Sequence, residues 1–272
     1  MPIPSLELAL ELLTLGAFAG FLAGLLGIGG GMLMVPFITF LLTARGVEPG
    51  HAVKMAIATS MATIFFTSLS SLRAHHKRGA VRWDLVRGFS PGIVLGSMLA
   101  GAAAFALLKG AALAILFAAF VAFSATQMLL NRRPAPSRTM PGLMGQTAAG
   151  ASIGFVSGLV GAGGAFISVP FMTWCNVAIH NAVATSAALG FPIALAGTVG
   201  YLIAGWSLPP ALPGAVGYLY VPAIVCVACA SVVTAPWGAR TAHQLNVAEL
   251  KRVFAVMLYG LAAYMLYKGL VA

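Results

Sequence analysis

Long apolar stretches, separated by short polar ones, make up most of the chain. No Asp, Glu, Lys or Arg occurs between residues 139 and 239, and residues 12–44, 88–108 and 110–131 are also free of them. An α-helix needs about 20 apolar residues to cross the hydrocarbon core of a bilayer. The short alternating strands of a membrane β-barrel are not seen in the sequence. We therefore predict an all-α polytopic membrane protein.

Ten hydrophobic segments follow from this pattern, five in each half of the chain. In the first half they cover roughly residues 8–26, 30–44, 51–72, 88–108 and 110–130, and in the second roughly residues 142–160, 164–176, 181–204, 215–238 and 253–271. The second segment of each half is too short for an ordinary membrane helix. It therefore forms a hairpin with the segment before it, and this hairpin either crosses the bilayer fully or dips in and returns.

The two halves repeat one another in sequence. Residues 20–40 match residues 154–174 at 11 of 21 positions, and "AIATS" at 56–60 recurs as "AVATS" at 182–186. The predicted division is a first inverted repeat over 1–131, a basic cytoplasmic linker over 132–141 and a second inverted repeat over 142–272. Inverted repeats are frequent in membrane transporters.

The charges of the chain predict its orientation. Its formal net charge is +10, and 11 of the 15 Lys and Arg residues fall in three patches, at 73–87, 131–138 and 239–252. Short basic loops stay on the cytoplasmic side, which places both termini outside the cell (inner) membrane. The uncharged loop 205–214 is the repeat partner of the most basic patch, as expected for halves inserted in opposite directions. The same placement favours lipid headgroups over nucleic acid as the partner of these charges.

Glycine clusters break both hairpins at the same position of the repeat. The second arm of each hairpin begins just after its cluster, so its first N–H groups lack intrahelical partners inside the membrane. Such a helix end carries partial positive charge, and glycine allows a ligand to approach the backbone. We predict a small-anion site at the two breaks, formed by Gly29, Gly30, Gly31, Gly163, Gly164 and Ala165.

Polar residues after each hairpin extend the predicted substrate site. They are Thr59, Ser60, Thr185 and Ser186 of the repeated Ala-Thr-Ser motif, with His180 and Asn181 before its second copy. The alternative for the hydroxyls is a bond to a carbonyl of their own helix, and for the histidine simple solvation.

Not every glycine is a candidate for ligand binding. Gly16, Gly20 and Gly24 have the four-residue spacing that allows close helix packing, and packing is the predicted role for them. By contrast, Gly30→Val or Gly164→Val is expected to abolish transport while the protein stays folded.

The duplicated G-F-x-x-G-L-x-G-x-G-G…V-P-F motif, the paired Ala-Thr-Ser motifs and "ATSAALGFPIALAGTVGYLIAG" at 184–205 resemble the TauE/SafE family of sulfite and organosulfonate exporters. The resemblance covers nearly the whole chain. It implies transport of small sulfur-containing anions such as sulfite, sulfoacetate or other organosulfonates. The first break ends in Gly31 and the second in Ala165, so the two half-sites need not be equivalent.

Several function classes compete for this sequence. The predicted function is a secondary transporter, an exporter, of small sulfur anions; a transporter of another small ion or metal and an accessory membrane subunit are the alternatives. An enzyme is not expected, because no nucleophile with a base and no His/Glu cluster lies within the apolar segments. No cofactor and no metal are predicted. Small residues in "GSMLAGAAAFALLKGAALA" at 96–114 suggest a homodimer or close packing within one protomer.

Overall fold

The computed structural model describes residues 6–26, 31–130, 137–241 and 247–271, which are almost entirely helical. Within these residues, eight helices are long and apolar enough to cross a membrane, and two shorter apolar helices accompany them. The predicted class, an all-α polytopic membrane protein, is confirmed.

The first half contains six helices and one π-helical turn in the described residues. They are α1 (Leu6–Leu26), α2 (Gly31–Ala44), α3 (Pro49–Lys77), α4 (Trp83–Leu99), the π-helical turn (Ala100–Ala104), α5 (Phe105–Leu107) and α6 (Gly110–Leu130). The π-helical turn joins α4 to α5, so that Trp83–Leu107 is one span.

The second half follows the same order. It contains α7 (Leu143–Val160), α8 (Ala165–Trp174), α9 (Ile179–Gly205), β1 (Ala215–Val216), β2 (Leu219–Tyr220), α10 (Val221–Thr241) and α11 (Val247–Val271). The predicted segment 215–238 is corrected here, because its first six residues form an antiparallel β-hairpin. Gly214 and Gly217 adopt left-handed conformations that a helix does not tolerate.

Each broken hairpin returns to the end of the bundle where it began. In the first, Arg45 after α2 forms a 2.7 Å ion pair with Glu11 near the start of α1. In the second, the Trp174 indole at the end of α8 donates to Ser137 Oγ, a few residues before α7 begins.

Glycines bring the first helix of each half against the fourth helix of the other half. A Cβ on Gly16 or Gly20 of α1 would lie within 2.7 Å of the α10 backbone, at Val227 or Ser231. In the same way, Gly154 of α7 faces the backbone of α4, where a Cβ would lie 2.4 Å from the carbonyl oxygen of Ile93. The predicted packing role is therefore confirmed for Gly16 and Gly20; the surroundings of Gly24 lie outside the described part.

Helices α3 and α9 occupy the centre and run in opposite directions. Gly190 of α9 faces Ser68 of α3, whereas Gly197, two turns later, faces Met61, which lies earlier in α3. Both helices are lined by small, fully buried residues. This antiparallel pair is the frame on which the two hairpins converge.

The small residues of 96–114 are used inside the protomer. A Cβ would meet backbone atoms of α7 at Gly96, of α9 at Gly101 and of α3 at Gly110. The stretch therefore gives no support to the predicted homodimer.

Candidate functional site

The start of α2 meets the second helix break inside the bundle. A Cβ on Gly31, the first residue of α2, would lie 2.6 Å from the carbonyl oxygen of Gly161 and 3.4 Å from the Cα of Ala162. Gly31, Gly161 and Ala162 are all buried. The predicted residues Gly29 and Gly30 lie outside the described residues. The structure thus places the start of α2 directly against the loop that joins α7 to α8.

Two glycines of the second break have backbone conformations that other residues rarely adopt. Gly161, which ends α7, has φ 70°, and Gly164, which precedes α8, has φ 76°. Gly163 lies between them without a positive φ, and the nearest described atom to a Cβ there would be Ile64 Cγ2 at 3.6 Å. The glycine cluster is therefore required partly for the turn and partly for space.

The first backbone amides of α8 have no hydrogen-bond acceptor among the described residues. Gly164 stands at the N-cap, where no side chain caps the helix, and its carbonyl accepts from Ile167 N and Ser168 N. The amides of Ala165 and Phe166 come before these bonds and have no intrahelical acceptor. The predicted Ala165 therefore lies in the first turn of a helix whose positive end faces the break.

The serines of both Ala-Thr-Ser motifs point toward the breaks. Ser60 Oγ lies 3.4 Å from the carbonyl oxygens of both Gly31 and Gly161, which is long for an O–H···O bond. Ser186 Oγ lies 2.7 Å from Ser168 Oγ, which bonds the Gly164 carbonyl at 3.0 Å. These hydroxyls connect α3 and α9 to the convergent breaks.

Ser157 is a residue of this region that the predicted set omitted. It is fully buried in α7, its Oγ has no hydrogen-bond partner among the described residues, and a Cβ on Gly164 would lie 3.2 Å from it. Buried hydroxyls are normally hydrogen-bonded. The repeat could have indicated it, because the second half has a serine where the first half has an apolar residue. Ser157 is matched by Ala23, and Ser168 is matched by Met34.

The two threonines hold loops rather than line the break. Thr59 Oγ1 accepts from Tyr220 N at 3.0 Å, and Thr185 Oγ1 accepts from Arg82 N at 3.1 Å. Tyr220 precedes α10 and Arg82 precedes α4, so each threonine fixes the start of a helix of the other half.

Asn181 and His180 are also away from the break. Asn181 Nδ2 donates to the carbonyl of Ala80 at 2.9 Å, in the loop that Thr185 also holds. His180 is exposed in the first turn of α9. The structure therefore brings together Gly31, Gly163, Gly164, Ala165, Ser60 and Ser186, but not Thr59, Thr185, His180 or Asn181.

The surroundings of the break are neutral in the described part of the chain. The side chains nearest to its glycines are Ile57, Ile64, Ile153, Ile193 and Ser157. Apolar walls strengthen every electrostatic contact made inside them.

The geometry also changes the expectation for Gly164→Val. A Cβ there would lie 2.6 Å from Ile193 Cδ1 and would stand on a left-handed backbone. A valine is strained at such a position, so this substitution tests folding as much as binding.

Comparison with known proteins indicates a membrane transporter. The family model described as "Sulfite exporter TauE/SafE" matches residues 12–265. A "Probable membrane transporter protein" from Haemophilus influenzae is 34% identical over 94% of this chain and 97% of its own length. The "Probable membrane transporter protein YunE" from Bacillus subtilis is 31% identical over 71% of this chain and 78% of its own. No solved structure matches the chain.

Three observations indicate the same conclusion. The family model matches nearly the whole chain, relatives over most of its length are described as membrane transporters, and the described residues contain eight helices of membrane-spanning length. The chain is a multi-pass membrane transporter and belongs to the TauE/SafE family.

Proposed function

We propose that the protein is a secondary transporter that exports small sulfur-containing anions, such as sulfite, sulfoacetate or other organosulfonates. The observation that carries this proposal is the meeting of the two breaks at Gly31 and Gly161, beside the uncapped start of α8. The family description supports the substrate class.

A neutral site of this kind suits an anion that must be bound and released. The amides of Ala165 and Phe166, the hydroxyl of Ser157 and the weakly held hydroxyl of Ser60 are donors at the break. A hydrogen bond to an ionised group contributes roughly 1.5–3 kcal/mol. A few such bonds offset much of the dehydration cost of a small anion, and no arginine holds it permanently.

We further propose that residues 1–131 and 142–272 are inverted repeats joined by the linker 132–141. The antiparallel run of α3 and α9 supports this, since they are repeat partners. So does the exchange of partners, α1 with α10 and α7 with α4. Two pairs of opposed elements around one site are the usual arrangement of alternating-access transporters.

The proposed orientation places the protein in the cell (inner) membrane with its basic patches inside and both termini outside. Arg82 and Arg138 support it, because both lie at the end where α9 begins, next to Thr185 and Trp174 respectively. A cysteine at the exposed position Ser207 should react with an impermeant thiol reagent added to whole cells, and one at the exposed Ser137 should not. The native cysteines are replaced first, and the reverse labelling pattern would contradict the orientation.

Transport assays on purified protein in liposomes test the function. The panel contains sulfite, thiosulfate, sulfoacetate and taurine, with divalent cations as the competing class. We expect saturable transport of at least one sulfur oxyanion and none of the cations. Transport of a cation alone would refute the proposed function.

A further inference from the structure

Lys54 lies near the start of α3, and among the described cations it contacts two aromatic rings rather than one. Its Nζ is 5.6 Å from the ring centroid of Phe105 and 5.5 Å from that of Tyr218, which precedes β2. Its bond to the carbonyl of Ala106 is long, at 3.5 Å. The ammonium is therefore half-buried between two aromatic rings.

No carboxylate neutralises this ammonium in the described part of the chain. The ion pairs found there are Arg45–Glu11 and Arg82–Asp84. The nearby Glu48 instead accepts the amides of Gly50 and His51 as the cap of α3.

The tyrosine beside Lys54 does not neutralise it either. Burial raises the pKa of the Tyr218 phenol, so this side chain is uncharged at neutral pH. Two rings can hold a cation in place by cation–π attraction, but they leave its charge uncompensated.

His51 provides a further polar group at the same place. Its ring stacks at a tilt on Tyr218, with centroids 5.3 Å apart, and its Nε2 is buried without a hydrogen-bond partner among the described residues. His51 and Lys54 are three residues apart on α3 and so lie on neighbouring positions of its surface. An ammonium without a carboxylate and a ring nitrogen without a hydrogen-bond partner, as the described residues have them, are complementary to a small oxyanion when they lie under one tyrosine.

This pair lies nearer to the start of α3 than the helix breaks do. Ser60 follows Lys54 by six residues, a rise of about 9 Å along α3. The β-hairpin that carries Tyr218 is fixed to the same helix through Thr59. An anion that enters from the end where α3 begins therefore reaches the depth of Lys54 before that of Ser60.

We propose that Lys54 and His51 form an outer capture site for a small oxyanion, on the side of the membrane where α3 begins. In the proposed orientation this side is the outside, so an exported anion meets the site as it leaves, and an anion carried in the reverse direction meets it first. This inference rests on the proposed function, since it takes the captured oxyanion to be the transported one. The other half has a different arrangement, because His180, the repeat partner of Lys54, is exposed. Capture by a fixed charge is therefore a property of one side only.

Transport measured from each side separately tests this inference. Sulfite, thiosulfate and sulfoacetate are offered to right-side-out and inside-out vesicles that contain wild type, Lys54→Met, Lys54→Arg or Lys109→Met. Lys109 is an exposed lysine next to Gly110, which packs on Gly50 at the same end, and it serves as the matched control.

For Lys54→Met we expect a KM at least about tenfold higher in one vesicle orientation and unchanged in the other, because a charge-assisted bond is lost on one side. Lys54→Arg should restore most of the affinity, and Lys109→Met should leave it unchanged. Wild-type transport with a Lys54→Met KM that is unchanged, or raised equally from both sides, would overturn the capture site alone. Failure of the wild type to carry any of the three anions would overturn both proposals.

Discussion

Thr59 and Thr185 make the same kind of hydrogen bond in the two halves, whereas the serines next to them do not. Each threonine accepts the amide just before a helix of the opposite half. Ser60 instead faces two carbonyls at long distance, while Ser186 forms a short bond to Ser168. The threonine contacts between the halves are thus the same in both repeats, whereas the serines at the breaks are bonded differently.

Gly20 and Gly154 are packing glycines at the same position of the repeat. Their substitution should have the largest effects on stability, and the two effects should be nearly equal. In both Gly20→Ala and Gly154→Ala the new Cβ would lie 2.4 Å from backbone of a neighbouring helix. We expect each to lower the free energy of unfolding by roughly 3 kcal/mol or more, because backbone cannot move aside cheaply. Thermal unfolding in detergent measures this.

Gly260→Ala is the control for the packing glycines. No atom of another described element lies within 4 Å of a Cβ at this position in α11, so the variant should be as stable as wild type or slightly more stable. A loss equal to that of Gly20→Ala would show that any glycine change harms this protein.

The threonine contacts should contribute less to the free energy of unfolding than the packing glycines, and their loss should destabilise the protein in both halves. Thr59→Val leaves the buried amide of Tyr220 without an acceptor, which costs about 1–3 kcal/mol. Thr185→Val should cost less, since its bond to Arg82 is only partly buried.

Thr63→Val is the matched control, because within the described residues the Thr63 hydroxyl bonds only the carbonyl of Thr59 in its own helix. Thermal stabilities of the three variants test this order. Equal stability of Thr59→Val and Thr63→Val would contradict a structural role for the contact with β2.

Adjacent glycines of the second break should behave differently. Gly164→Ala puts a side chain on a left-handed backbone and is expected to cost roughly 1–2 kcal/mol. Gly163→Ala has space and should unfold like wild type, yet its methyl group narrows the break and should slow transport. Normal transport by a folded Gly163→Ala protein would indicate that the anion does not approach there.

Ser157→Ala should have the smallest effect on stability. It is also the most direct test of how the two halves differ at the helix breaks. Its hydroxyl has no hydrogen-bond partner in the described part of the chain, so the free energy of unfolding should stay unchanged or rise slightly. Anion affinity, measured by binding calorimetry, should fall about tenfold or more if this hydroxyl donates to the substrate. Ser168→Ala, which removes two hydrogen bonds, should instead reduce stability. If Ser157→Ala lowered stability and left anion affinity unchanged, the anion site would not include α7.

Much of the fold could be predicted from hydrophobic length and glycine placement. The second arms were predicted at 30–44 and 164–176, and α2 and α8 cover Gly31–Ala44 and Ala165–Trp174. Helix ends outside the membrane were predicted less well: α3 continues to Lys77, five residues past the predicted segment. Charge marks where a chain leaves the hydrocarbon, whereas a helix ends where its backbone bonds end.

The sequence by itself determined the membrane class, the order of the segments and the repeat, because burial of apolar length and backbone freedom at glycine are local properties. Only the tertiary structure decided which hydroxyls serve the break and which hold a loop. The partner of Thr59 is 161 residues away, and adjacent residues of a helix point about 100° apart. The rotation of α3 against α10 therefore gives Thr59 a structural bond and leaves its neighbour Ser60 facing the junction of the two hairpins.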